Sequence, residues 1–195
     1  MLETIGFWSE YDNLTGQCTL SGGCTDSQLD TQFNGGEARV YGVESTAGQD
    51  VSLPWGLTLD VDLSYAWTHA TFESTFISDF PQFGRVEEGD FLPYVPVHQG
   101  GAGLALLHEH GTLSLKTTGR SGMRNEAGSE NVPAAQEIPT HLQTDLGVEA
   151  RLNEHWAAYT SLTNITDARH VESWRPFGAR PTAPFQAMFG LKADL

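Results

Sequence analysis

The stretch Leu57-Thr58-Leu59-Asp60-Val61-Asp62-Leu63-Ser64-Tyr65-Ala66-Trp67-Thr68 puts an apolar residue at every odd position and a small, polar or acidic one at every even position. Successive side chains of a strand point to opposite faces, so this segment predicts a β-strand with one greasy and one wet face. A helix would smear the two sets around its circumference. The same alternation returns at Leu142, Thr144, Leu146, Val148, Ala150 and Leu152, interleaved with His141, Gln143, Asp145, Gly147, Glu149 and Arg151. It returns again at Phe185, Ala187, Phe189, Leu191, Ala193 and Leu195, and at Leu113, Leu115 and Thr117. Near the start, Ile5, Phe7 and Tyr11 alternate with Thr4, Gly6, Glu10 and Asp12, which assigns the first three to the greasy face. Weaker strands are expected around 35–50, 92–107 and 156–169. That makes about eight strands, longer than the 5–6 residues usual in soluble sheets.

The connections alternate in length. Short turns fall at Leu53-Pro54-Trp55-Gly56, His108-Glu109-His110-Gly111 and Asn153-Glu154-His155; long polar links fall near 13–33, 77–91, 125–139 and 170–184. This rhythm predicts an antiparallel up-and-down meander with all its long loops at one end. Outer-membrane β-barrels are built so, with short periplasmic turns and long extracellular loops. Trp8, Trp55, Trp67, Trp156 and Trp174 lie near the expected strand ends, where interfacial aromatic girdles sit.

Composition agrees with that architecture. Only 39% of the 195 residues are hydrophobic, thin for a single dry core of this size, while five Trp and ten Phe are too many for a disordered acidic chain. A barrel wall needs only every second residue apolar, and acids collect on its lumen face and loops. The formal charge of −15 argues against nucleic-acid binding, which needs cations to neutralise phosphates. No run of 18 apolar residues predicts a membrane helix. Met1-Leu2-Glu3-Thr4 has neither the basic region nor the apolar stretch of a signal peptide. A soluble carbohydrate-binding β-sandwich shares the alternation but would bury the greasy faces against each other. A free-standing eight-stranded membrane barrel with a structural or adhesive role is a further alternative.

Several stretches carry a family resemblance. Asn34-Gly35-Gly36-Glu37-Ala38-Arg39-Val40-Tyr41-Gly42-Val43-Glu44, Leu92-Pro93-Tyr94-Val95-Pro96-Val97-His98, Leu162-Thr163-Asn164-Ile165-Thr166-Asp167 and Arg175-Pro176-Phe177-Gly178-Ala179-Arg180-Pro181 stand in order and at strand-length spacing. Together they resemble the C-terminal third of TonB-dependent outer-membrane receptors, and within them the ferric dicitrate and siderophore receptors. The chain departs from that pattern in ending on Leu195 where an aromatic is common, in His170 where Tyr is common, and in Phe185 after Pro184 where Arg is frequent.

The resemblance implies that residues 1–195 are a partial, C-terminal portion of a barrel of about 22 strands, without the N-terminal plug domain. It implies a location in the Gram-negative outer membrane and a role in energy-coupled uptake of a ferric chelate such as ferric citrate. The implied partners are outer-membrane lipid, the chelate bound by the intact receptor, TonB acting through the missing N-terminal region, and the barrel-assembly machinery. No enzymatic activity and no cofactor are expected: the sequence shows no nucleophile–base arrangement, phosphate loop or cofactor fingerprint.

Six arginines gather at the expected extracellular end: Arg85, Arg120, Arg124, Arg169, Arg175 and Arg180. Guanidinium groups grip carboxylates through two parallel hydrogen bonds, and the resemblance implies an anionic chelate as ligand, which makes Arg120, Arg124, Arg175 and Arg180 candidate ligand-binding residues. Arg120 and Arg124 share the lumen-facing parity of their strand. The competing reading pairs such arginines with loop acids such as Asp79, Glu87, Glu88, Glu126 and Glu130. Cys18 and Cys24 enclose five residues in the first long loop, a spacing open to a disulfide or to a metal or redox pair. The oxidising exterior favours the disulfide, and no second Cys pair or nearby His supports zinc. His108 and His110 flank a solvated turn and lack a third ligand, and Asp60 and Asp62 are neighbours on the wet wall, so no metal site is expected.

Overall fold

The computed structural model describes residues 1–20, 24–78, 80, 83–133, 137–175 and 178–193. Expectations resting on Asp79, Pro176, Phe177 and Leu195 lie outside them. Eight strands form one antiparallel sheet: β1 (Leu2–Tyr11), β2 (Ala38–Ser52), β3 (Thr58–Phe72), β4 (His98–His108), β5 (Gly111–Arg120), β6 (His141–Arg151), β7 (Trp156–Thr163) and β8 (Gln186–Ala193). Each pairs with its neighbours in chain order, giving an up-and-down meander. The expected strands are all present, with bounds moved by a few residues. The main shift is at 92–97, where Tyr94 adopts a left-handed backbone (φ 61°) and β4 begins only at His98.

The register explains why alternation along each strand becomes a property of the wall. One row across the sheet reads Val51, Leu59, Leu106, Leu113, Val148, Thr160 and Phe189. The row Gly48, Asp62, Gly103, Lys116 and Asp145, offset by an odd number of residues, lies on the other face. Among the described residues nothing covers the apolar face: Phe189 is 73% exposed, and Leu104, Leu113, Leu115, Val148 and Leu191 are exposed as well. A sandwich would bury these side chains, and lipid is the solvent that suits them. From Leu59 to Trp67 the greasy band of β3 spans about 26 Å, the height of an outer-membrane hydrophobic belt.

The first strand reverses the expectation. Trp8 pairs with Tyr41, and Tyr41 with His69, which puts Trp8 on the greasy face. Ile5 pairs with Glu44 and Phe7 with Gly42, so Ile5, Phe7 and Tyr11 lie on the lumen face. The physical reason is that β1 holds few apolar residues on either face, and fifteen-residue β2 sets its register. Phe7 lies across Gly42, where a Cβ would meet both its ring and the carbonyl of Trp67.

Aromatic residues mark both edges of the greasy band. At the long-loop edge Trp8 stacks on Tyr41 (5.0 Å), Tyr41 meets His69 (4.9 Å) and Trp67 (5.8 Å), and Arg39 lies 5.2 Å over Trp8. Trp55 and Trp156 stand at the short-turn edge. Trp174 does not join a girdle: its indole N–H donates to the Glu137 carbonyl (3.1 Å) within the loops.

The buried apolar residues gather toward the long-loop end. Phe72, Val86 and Ala38 pack with Leu14, Phe76, Phe83, Leu92 and Ala127, and Phe72 meets Phe76 and Phe83 edge-on at 5.3 and 5.9 Å. Each long connection carries a short hairpin of its own: Thr15–Gln17 with Gln32–Asn34, Phe76–Ile77 with Arg85–Val86, Met123–Arg124 with Glu137–Ile138, and Val171–Ser173 with Arg180–Pro181. Alternation does not reveal segments of two or three residues. Among the described residues β1 and β8 form no ladder with each other, so the sheet is an open wall and the free-standing closed barrel is not what the chain forms.

Candidate functional site

The site is an open cleft of about 460 Å³ on the polar face, beneath the long loops. One register row forms its floor: Glu44, Ala66, Gln99, Arg120 and His141 stand side by side on five consecutive strands. Ser64, Thr46 and Thr118 supply hydroxyls, and Glu172 reaches in from the fourth long loop. Arg120 Nη1 donates to the Pro139 carbonyl (3.2 Å) and Nη2 to Glu172 Oε2 (3.3 Å). The Arg120 side chain is 12% exposed and that of Glu172 52%. The rings of His141 and His170 meet edge-on at 5.3 Å beside this pair.

The four candidate arginines are not brought together. Strand β5 ends at Arg120, and the chain breaks pairing before the hairpin that holds Arg124, so parity counted along the sequence no longer places that side chain. Arg124 turns onto its own loop, donating to the Glu130 carbonyl (2.7 Å) and lying 5.9 Å over Phe91. Burial pushes its guanidinium below the usual range, partly offset by Asp90. Arg175 is ion-paired with Glu126 at 2.7 Å, as the loop-acid reading anticipates. Arg180 is exposed on the Arg180–Pro181 hairpin strand. Arg85 and Arg169 pair with Glu87 (3.2 Å) and Asp167 (3.1 Å).

These contacts join neighbouring loops in series. Cys18 and Cys24 are disulfide-bonded with Cα atoms 5.9 Å apart, and they pack with Phe80 and Phe83 of the second loop. The second loop meets the third where Phe91 N–H donates to Gly128 (3.0 Å) and Tyr94 N–H to Arg124 (2.9 Å). The third meets the fourth through Arg175–Glu126 and Trp174–Glu137.

Asn164 and Asp167, of the 162–167 stretch, clamp the fourth loop. Asn164 is 0% exposed with φ 53°; its Nδ2 donates to the carbonyls of Ala168 (3.0 Å) and Ala183 (2.9 Å). Its Oδ1 accepts from Ala168 N–H (3.1 Å) and Thr166 Oγ1 (3.3 Å). Asp167 accepts the Phe185 N–H at 3.0 Å, and this bond, with Arg169, holds its carboxyl below the ordinary range. Gln99, His141 and Glu172 were not singled out by sequence. Gln99 and His141 were legible in principle, as register partners of Arg120, whereas Glu172 depends on loop folding.

His108 and His110 sit in the exposed turn with rings 5.0 Å apart. Among the described residues no group of three or more His, Cys, Asp or Glu is arranged to hold a metal. No helix among them is long and apolar enough to cross a membrane.

A wall of membrane-length strands, greasy outside and polar inside, with interlocked long loops at one end, defines a segment of an outer-membrane β-barrel. The family described as TonB dependent receptor-like, beta-barrel matches residues 2–165. The chain belongs to that family, which places it in the outer membrane of a Gram-negative bacterium with its long loops extracellular and its short turns periplasmic. No curated protein matches it. Similar solved structures are the ferric-catecholate import receptor Fiu from E. coli K12 (TM-score 0.67, 18% identity, 98% of this chain and 25% of that one) and the siderophore receptor PiuA from Acinetobacter baumannii (0.66, 14%, 98% and 26%). The ferric citrate transporter FecA in its unliganded form is another (0.64, 18%, 98% and 31%). The chain thus spans about a quarter to a third of the length of these receptors.

Proposed function

We propose that this chain is the C-terminal barrel portion of a receptor that imports a ferric chelate carrying carboxylates, ferric citrate being the leading candidate, with Arg120 as a ligand-facing cation. The observation that carries this reading is Arg120 itself, a guanidinium held on the lumen wall of an open cleft lined by hydroxyls, Gln99, Glu44 and its ion-pair partner Glu172. A fixed guanidinium in a partly desolvated cleft binds carboxylate more strongly than an exposed one. Arg180, exposed on the fourth loop, is a second contact for an arriving anion, whereas Arg124 and Arg175 serve chiefly to tie loops together. The plug domain and the segment that meets TonB belong to parts of the receptor N-terminal to these residues, and the barrel-assembly machinery reads the closing strand. The role is transport, with no catalytic step assigned to any residue.

The test is uptake of radiolabelled iron from ferric citrate by cells whose sole receptor for it is the intact protein. Arg120→Gln is expected to lower uptake about tenfold or more at limiting chelate while leaving receptor abundance unchanged. Unchanged uptake by that variant refutes the assignment of Arg120.

A further inference from the structure

Glu172 stands where an incoming carboxylate would stand. It belongs to the hairpin strand Val171–Ser173, in which Val171 pairs with Pro181 and Ser173 with Arg180, so Glu172 is the extra residue of a β-bulge. A bulge re-aims a side chain out of the regular ladder, and here the side chain runs to Arg120 Nη2 at 3.3 Å. The two partners differ in exposure: Arg120 is held at 12% by the wall and by the Pro139 carbonyl, while Glu172 is half-exposed on a loop. Arg120 is the more firmly held partner, and the half-exposed Glu172 side chain is the one that can turn toward solvent.

The cleft already holds a second carboxylate, Glu44. With Glu44 and Glu172 both in place, an anionic ligand approaching Arg120 meets net negative charge. Replacing Glu172 is therefore electrostatically favoured over adding a third carboxylate beside it. We infer that Glu172 is a built-in surrogate for the ligand carboxylate: it occupies Arg120 in the empty receptor, and a carboxylate-bearing ligand displaces it, releasing the 171–173 hairpin strand from the wall. This rests on the proposed role of Arg120 as the ligand-facing cation. It adds an autoinhibitory contact that sets a threshold for binding and couples occupancy of the cleft to the fourth loop. Because a partly exposed ion pair is weak, the threshold is small.

The test uses the intact receptor in detergent with ferric citrate as the probe, comparing wild type, Glu172→Gln, Arg120→Gln and Arg120→Lys. Glu172→Gln is expected to bind the probe up to about fivefold more tightly, since the competing charge is gone. In wild type the probe should raise hydrogen exchange across 170–175; in Glu172→Gln exchange there should already be raised without probe. Arg120→Gln should lose binding, and Arg120→Lys, which keeps charge without the planar fork, should bind weakly. Equal affinity and equal exchange in wild type and Glu172→Gln, with binding still lost in Arg120→Gln, overturn the surrogate role and leave the site standing. Wild-type affinity in Arg120→Gln, or no binding by wild type and Glu172→Gln alike, overturns the site and the surrogate role with it.

Discussion

Replacing Asn164 by Ala removes the clamp of the fourth loop at one stroke. The Asn164 side chain satisfies the carbonyls of Ala168 and Ala183 and the N–H of Ala168, at 2.9–3.1 Å. Each such bond contributes about 1 kcal/mol net, and stranding buried partners tends to raise the loss. Ala would also have to hold the left-handed backbone that Asn tolerates (φ 53°), at about 1 kcal/mol. Three lost bonds and that strain place Asn164→Ala at about 4 kcal/mol of local stability. Asn164→Gly loses the bonds but not the backbone conformation, and should cost about 3 kcal/mol. The assay is hydrogen exchange of the intact receptor, read at amides that keep their acceptors. Those are Phe185, bonded to Asp167, and Thr182, bonded to the His170 carbonyl. A 4 kcal/mol loss accelerates exchange through local opening by about a thousandfold. Acceleration of Phe185 and Thr182 by less than about threefold would falsify the clamp, because it would mean the loop is held by its other contacts.

Three further outcomes follow from the geometry. The reversed first strand predicts that a single cysteine at Phe7→Cys reacts with a water-soluble thiol reagent through the lumen, while Trp8→Cys reacts only with a lipid-soluble one; the opposite pattern would restore the sequence-based facing. Leu115→Arg, in mid-band on the lipid face, should lower folding stability by about 2–4 kcal/mol in vesicles, whereas Thr118→Arg on the lumen face should cost little; equal costs would contradict the register. Asp167 has a depressed pKa in the folded state, so its contribution is complete above its unfolded pKa of about 3.9 and is lost as pH falls through the lower folded value. Phe185 protection, corrected for intrinsic exchange, should hold down to about pH 4 and fall below it, and Asp167→Asn should remove that dependence.

Most of the wall was legible in the sequence because period-2 alternation is a local property. Leu59 to Trp67 reads as a two-faced strand without reference to any partner. Ile5 and Phe7 show where that logic stops: alternation says that two faces differ, while the pairing strand says which way each points. Arg124 shows the same limit in another form, since its parity with Arg120 ceased to mean anything once β5 ended between them. The arginine cluster was visible as composition, but its division into one wall-held guanidinium and several loop ties was not.

Alternation, loop rhythm and charge by themselves determined a membrane wall, its polar interior and the end at which its long loops gather, because each strand must present lipid and water to opposite sides. Only the tertiary structure decided what the loops do. The bulge that aims Glu172 at Arg120 and the closure of Asn164 onto Ala183 each bring together residues at least 19 positions apart. Such meetings depend on how loops fold over the rim, for which a one-dimensional pattern holds no period.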